Sequence, residues 1–246
     1  MPITSISTEE VTRRTMNLFF LVDTSGSMAG RKIATLNQAV REALPIIKEI
    51  SEENADACIQ IAVLEFSDYV KWMYDEPLEV DKFEWTDLGI NGLTCMGAAF
   101  GELNSKLSRN AFMAKQAYQP VIILLSDGAP TDSYKHNLDR LKQNKWFQAA
   151  TKIAIAIGDD ADKDVLADFA GNTEAIFSAD NVFMLKTIIK IASVQSSLIG
   201  SQSSTSSDKT KEEQIIEKIQ EEVEEKQEEA EKKKAEDDDD DLFAGF

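Results

Sequence analysis

"LVDTSGSMAG", residues 21–30, decides how the rest of the chain is read. Two aliphatic residues run straight into an aspartate, two serines and a glycine, and a helical pattern follows. The oxygen-bearing side chains Asp23, Ser25 and Ser27 stand two apart. Taken alone, the cluster fits a helix N-cap, where Asp and Ser accept from free backbone N–H groups. It also fits a site where oxygens converge on a ligand. Segments further along the chain separate the two.

The stretch ends one of four near-continuous apolar runs, "NLFFLV" (17–22), "CIQIAVLEF" (58–66), "PVIILLS" (120–126) and "KIAIAIG" (152–158). Strands covered on both faces have this composition, as in a parallel sheet flanked by helices. "VKWMY" (70–74) follows closely after the second run and alternates, which suits a hairpin partner at the sheet edge. Between the runs, Ile33, Leu36, Val40, Leu44 and Ile47 recur at helical spacing, with Pro45 expected to kink or break that helix. Further helices are expected over 96–107, 133–144, 164–170 and 181–196. Alternating strands and helices predict an α/β, Rossmann-like doubly wound domain over roughly residues 12–198.

In such a sheet ligands sit beyond the carboxyl ends of the strands. Three loops there carry oxygens: the opening one, "NGLTCMGAAF" (91–100) with Thr94 before a helix, and "LLSDGAPTD" (124–132) with Asp127 ending a strand. Carboxylates and hydroxyls without a Cys or His cluster suit a hard cation, Mg²⁺, Mn²⁺ or Ca²⁺. Asp132 reads as a support of the third loop. Cys95 adjoins Thr94, and both it and Cys58 read as buried, inert thiols in a reducing compartment.

"DTSGS" after a buried strand, Thr94 in a Gly-x-Thr loop and a later strand ending "SDG" resemble the von Willebrand factor A family, in the family's order, over about residues 16–195. The chain looks most similar to compact cytoplasmic bacterial members of the TerY type from tellurite resistance operons. The resemblance implies a mostly parallel sheet with one antiparallel edge strand, helices on both faces and a metal-ion-dependent adhesion site. In that site Ser25 and Ser27 bind the metal, most simply Mg²⁺, through their hydroxyls, and Thr94 does so in at least one state. Asp23 and Asp127 hold metal-bound waters. One coordination position stays open for a partner's Glu or Asp. The implied role is a non-enzymatic adaptor, with a Ser/Thr kinase and a PP2C-type phosphatase as expected partners, or alternatively a MoxR-type AAA+ ATPase.

An enzyme of another class, a metal-dependent phosphohydrolase using an aspartate after strand one, stays open as an alternative. Against it, Ser25 stands where those enzymes carry a second acid, and the one histidine, His136, lies in a polar, surface-like context.

The formal charge of −18 argues against nucleic acid or an anionic membrane as partner. From Asp208 to Phe246 there are 17 acidic and 7 basic residues, so over half the excess charge lies in the last sixth of the chain. No run approaches the ~20 apolar residues of a membrane span, and the chain reads as soluble and cytoplasmic. The expected organisation is one domain over 1–198, a Ser-rich linker over 199–208, a charged helical segment over 209–236 and an acidic tail over 237–246. Ile215, Ile219 and Val223 give the charged segment one narrow apolar stripe, and the closing "DLFAGF" resembles a short docking peptide.

Overall fold

The apolar runs become strands because each has two cores to face. In β1 (Arg14–Asp23), Leu18, Phe20 and Val22 point into one buried cluster while Phe19 and Leu21 point into another. The computed structural model describes residues 13–158, 160–179, 181–201 and 209–243. Within them β1 is followed by β2 (Ala57–Phe66), β3 (Val70–Trp72), β4 (Leu78–Glu79), β5 (Val121–Ser126), β6 (Thr151–Ile157) and β7 (Ile176–Ala179). The helices are α1 (Arg31–Glu53), α2 (Met96–Lys106), α3 (Tyr134–Lys142), α4 (Lys145–Ala149), α5 (Lys163–Ala170), α6 (Val182–Ser201) and α7 (Lys211–Phe243).

The strands form one seven-stranded sheet in the order β3-β2-β1-β5-β6-β7, with β4 also paired to β2. The pairs β1–β2, β1–β5, β5–β6 and β6–β7 are parallel. The antiparallel edge is in two pieces. β3 covers Leu64–Phe66 and β4 covers Gln60 and Ile61, so the outer side of β2 is paired along much of its length. Only the first piece was legible as "VKWMY", since the two residues of β4 are too few to show alternation. Helices α1 and α6 bury one face of the sheet, and α2, α3 and α5 the other.

Pro45 does not end α1, which continues to Glu53; proline removes one internal hydrogen bond, and burial of Leu36, Val40, Ala43 and Ile47 along one face holds the helix across it. The charged segment packs against the domain. Its stripe sinks into the domain: Ile215, Ile219 and Val223 join the α1–α6 core, and Ile216 joins the other. Thr210 and Glu213 form a reciprocal capping box at its start. Lys152 pairs with Glu212 at 2.8 Å, and Gln220 donates to the Glu174 carbonyl at 3.0 Å. Helix α6 runs three residues past position 198, and α7 stays helical beyond 236 to Phe243. Residues 202–208 of the Ser-rich stretch and 244–246 of "DLFAGF" lie outside the described residues. Among the described residues no helix is long and apolar enough to cross a membrane.

Candidate metal centre at the carboxyl ends of the strands

The chain leaves β1 for β2 on one side and returns to lay β5 on the other. The carboxyl ends of β1 and β5 therefore flank the point where strand order reverses, the usual ligand crevice of an open α/β sheet. Asp23 closes β1, and Asp127 directly follows β5. Ser25 and Ser27 lie in and beside a single 3₁₀ turn, Gly26–Met28, and Thr94 stands two residues before α2.

Backbone hydrogen bonds stitch the three loops together. Gly26 N–H donates to the Gly92 carbonyl at 2.9 Å and Asn91 N–H to the Thr24 carbonyl at 2.8 Å, joining loops one and two. Thr131 N–H donates to the Thr94 carbonyl at 2.9 Å, and Thr94 N–H returns the bond to Thr131 Oγ1 at 3.0 Å, joining loops two and three. A Cβ on Gly92 would lie 1.8 Å from a carboxylate oxygen of Asp68, so any larger residue there would displace the side chain that holds Leu93 N–H. Gly128 has φ 76°, and a Cβ would stand 2.4 Å from the Asp162 carbonyl.

Inside this frame the Ser25 and Ser27 hydroxyl oxygens lie 3.0 Å apart. Asp23 is fully buried and both its oxygens are engaged. Oδ1 accepts from Ser25 N–H at 2.9 Å, and Oδ2 from the Ser126 hydroxyl at 2.6 Å. Burial pushes its carboxyl above the ordinary range, with the nearby Asp127 charge adding to that push, while the bonds from Ser126 and Ser25 act the other way. Asp127 is 4% exposed. Its Oδ2 meets Lys32 Nζ at 3.2 Å, and its Oδ1 is buried without a hydrogen-bond partner among the described residues. A buried anionic oxygen without a donor is costly unless a cation or a cation-bound water completes it. Among the described residues no three His, Cys, Asp or Glu side chains gather in a set that could hold a metal. A cation here depends on hydroxyls as much as on carboxylates, which suits a hard ion.

Some residues of the site escaped the sequence, and Asp132 was legible only as a support of its own loop. Ser126 was visible only as part of "SDG", yet it bridges Asp23 and, through its oxygen, Gly128 N–H at 2.8 Å. Asp132 supports loop two from loop three: its two oxygens accept from Gly97 and Ala98 N–H at 2.9 and 3.0 Å, capping α2. Lys32 and Asp160 reach the site by fold alone. Cys58 and Cys95 are free and half-buried rather than buried; burial raises both thiols above their ordinary value, which keeps them poor nucleophiles. His136 is exposed on α3, as expected.

A family model for the von Willebrand factor type A domain matches residues 17–196. Solved structures share the fold. Proximal thread matrix protein 1 from the mussel byssus, in a form whose MIDAS motif is occupied by zinc, is 19% identical with a TM-score of 0.57, covering 74% of this chain and 48% of that one. A von Willebrand factor type A protein from Catenulispora acidiphila is 18% identical with a TM-score of 0.57, covering 75% and 43%. The pilus adhesin SpaC from Lactobacillus rhamnosus GG is 12% identical with a TM-score of 0.59, covering 77% and 31%. The match spans less than half the length of each of these chains. No curated protein matches this sequence.

Proposed function

The chain belongs to the von Willebrand factor type A domain family, and from that premise we propose that it is a metal-dependent protein-binding adaptor that captures a partner carboxylate at the Asp23–Ser25–Ser27–Thr94–Asp127 centre. The observation that carries this reading is Oδ1 of Asp127, buried and unpartnered beside loops rich in hydroxyls. Ser25, Ser27 and Thr94 would hold a divalent cation through their hydroxyls, and Asp23 and Asp127 would hold its waters. The oxygen donors favour Mg²⁺, with Mn²⁺ or Ca²⁺ as substitutes, over zinc, which prefers nitrogen and sulfur. A cation so bound supplies an open Lewis-acid position for an incoming Glu or Asp.

Binding rather than catalysis is supported by Asp23 itself. A phosphoryl acceptor needs a free carboxylate oxygen, and both oxygens of Asp23 are engaged inside a fully buried side chain. In the wider setting we propose a cytoplasmic, TerY-like signalling complex of the stress or tellurite-resistance type. Its partners would be a Ser/Thr kinase and a PP2C-type phosphatase, or alternatively a MoxR-type AAA+ ATPase. The test is capture of those candidates by the immobilised full chain in Mg²⁺. Capture lost on chelation and in Thr94→Ala supports the reading, and capture indifferent to both refutes it.

A further inference from the structure

Lys32 places a positive charge beside the proposed cation centre. It lies in the first turn of α1, with Nζ 3.2 Å from Oδ2 of Asp127 and 2.8 Å from Oδ1 of Asp160. Its side chain is 18% exposed, whereas that of Asp160 is 74% exposed. Its stem is held as well: a Cβ on Gly158 would stand 2.6 Å from Lys32 Cε, so the lysine passes tightly under the turn that follows β6. The ammonium is thereby fixed between the third loop and a fourth, which the reading of the sequence had not included in the site. It takes one oxygen of Asp127 and leaves the other without a partner among the described residues.

We propose that Lys32 is a resident counter-ion that sets the cation affinity of this centre. It compensates the buried Asp127 charge while no divalent ion is bound, and its repulsion weakens the hold on one that is. Two charges a few ångströms apart in a partly buried setting interact strongly enough to shift binding by an order of magnitude. Asp160, exposed and better screened, draws off part of that field. A weakly held, electron-poor cation is the state best disposed to accept a partner's carboxylate. The inference rests on the metal reading above, and it assigns residues that the family motif does not include.

The test is Mn²⁺ binding to the full chain, followed by electron paramagnetic resonance of the free ion at one low ionic strength. Lys32→Met is expected to bind about tenfold more tightly than wild type, Lys32→Arg about as wild type, and Asp160→Asn more weakly. A merely structural lysine gives weaker binding in both Lys32→Met and Asp160→Asn. Unchanged or weaker binding in Lys32→Met overturns the proposal. If Lys32→Met does not fold, Lys32→Gln, which keeps a polar head without the charge, decides on the same terms: affinity equal to or below wild type overturns the proposal. Melting in chelator adds an independent readout, with Lys32→Met expected below wild type and the gap narrowing as Mn²⁺ is added. A wild type that binds no Mn²⁺ removes the metal reading itself, an outcome distinct from wild-type binding that the Lys32 variants leave unmoved.

Discussion

The Ser126 hydroxyl donates to Oδ2 of Asp23 across 2.6 Å, tying the carboxyl end of β5 to that of β1. Both groups are fully buried, so the bond works in a low dielectric where it is strong and where its loss leaves a charge exposed to nothing. Ser126→Ala is expected to cost about 1–3 kcal/mol in urea unfolding and to weaken divalent-ion binding about 10- to 100-fold. Loss of stability with unchanged affinity would show that Ser126 serves the sheet and not the site.

Asp132 caps α2 from 35 residues away in sequence, through Gly97 N–H, and its second oxygen takes Ala98 N–H. Asp132→Ala removes both bonds at the helix that begins behind Thr94. A stability loss of about 1–2 kcal/mol is expected, in the range of a lost N-cap. Asp132→Asn keeps one acceptor oxygen and should recover part of it. Equal losses in the two variants would contradict the capping role.

Helix α7 is attached to the domain by its buried apolar stripe, with the Lys152–Glu212 pair at its start. Ile219 is fully buried in the core shared with α6. Ile219→Ala is expected to cost about 2–5 kcal/mol, and hydrogen exchange should quicken in α7 and α6 together. Removing the exposed Lys218–Glu221 pair, which water screens, should leave stability nearly unchanged. Domain stability unaffected by Ile219→Ala would mean that α7 is free of it in solution.

The Tyr134 hydroxyl donates to Oδ2 of Asp168 at 2.8 Å. Burial, and then this bond to a carboxylate, push the phenol up to about 12 from an ordinary 10.0. Below pH 10 both folded and unfolded states keep the proton, and the contribution to stability is complete. Between pH 10 and 12 the unfolded chain ionises first, so stability falls as pH rises. Phenolate absorbance should show a late component that Tyr134→Phe removes along with the steepness of that fall. A titration without the late component would contradict this bond.

The fold was legible because β1, β2, β5 and β6 are apolar on both faces, a pattern that few other arrangements produce. The three loops were legible because their side chains are chemically unusual at strand ends. Ser126 and Asp132 were not assigned their partners, since each acts on a segment distant in sequence. Lys32 was missed for a related reason: a lysine at the second position of a helix reads as solvated, and only the turn after β6 encloses it. The docking of α7 was half visible. Ile215, Ile219 and Val223 marked a stripe, but a stripe on a charged helix does not say which surface covers it.

The central claim is that loops far apart in the chain hold a divalent ion. Its most direct test is anomalous diffraction from a crystal of the full chain soaked in Mn²⁺. One peak about 2.0–2.6 Å from the hydroxyl oxygens of Ser25 and Ser27 is expected, absent in a Ser25→Ala, Ser27→Ala double variant. No peak between these loops, or a peak indifferent to the double substitution, would contradict it.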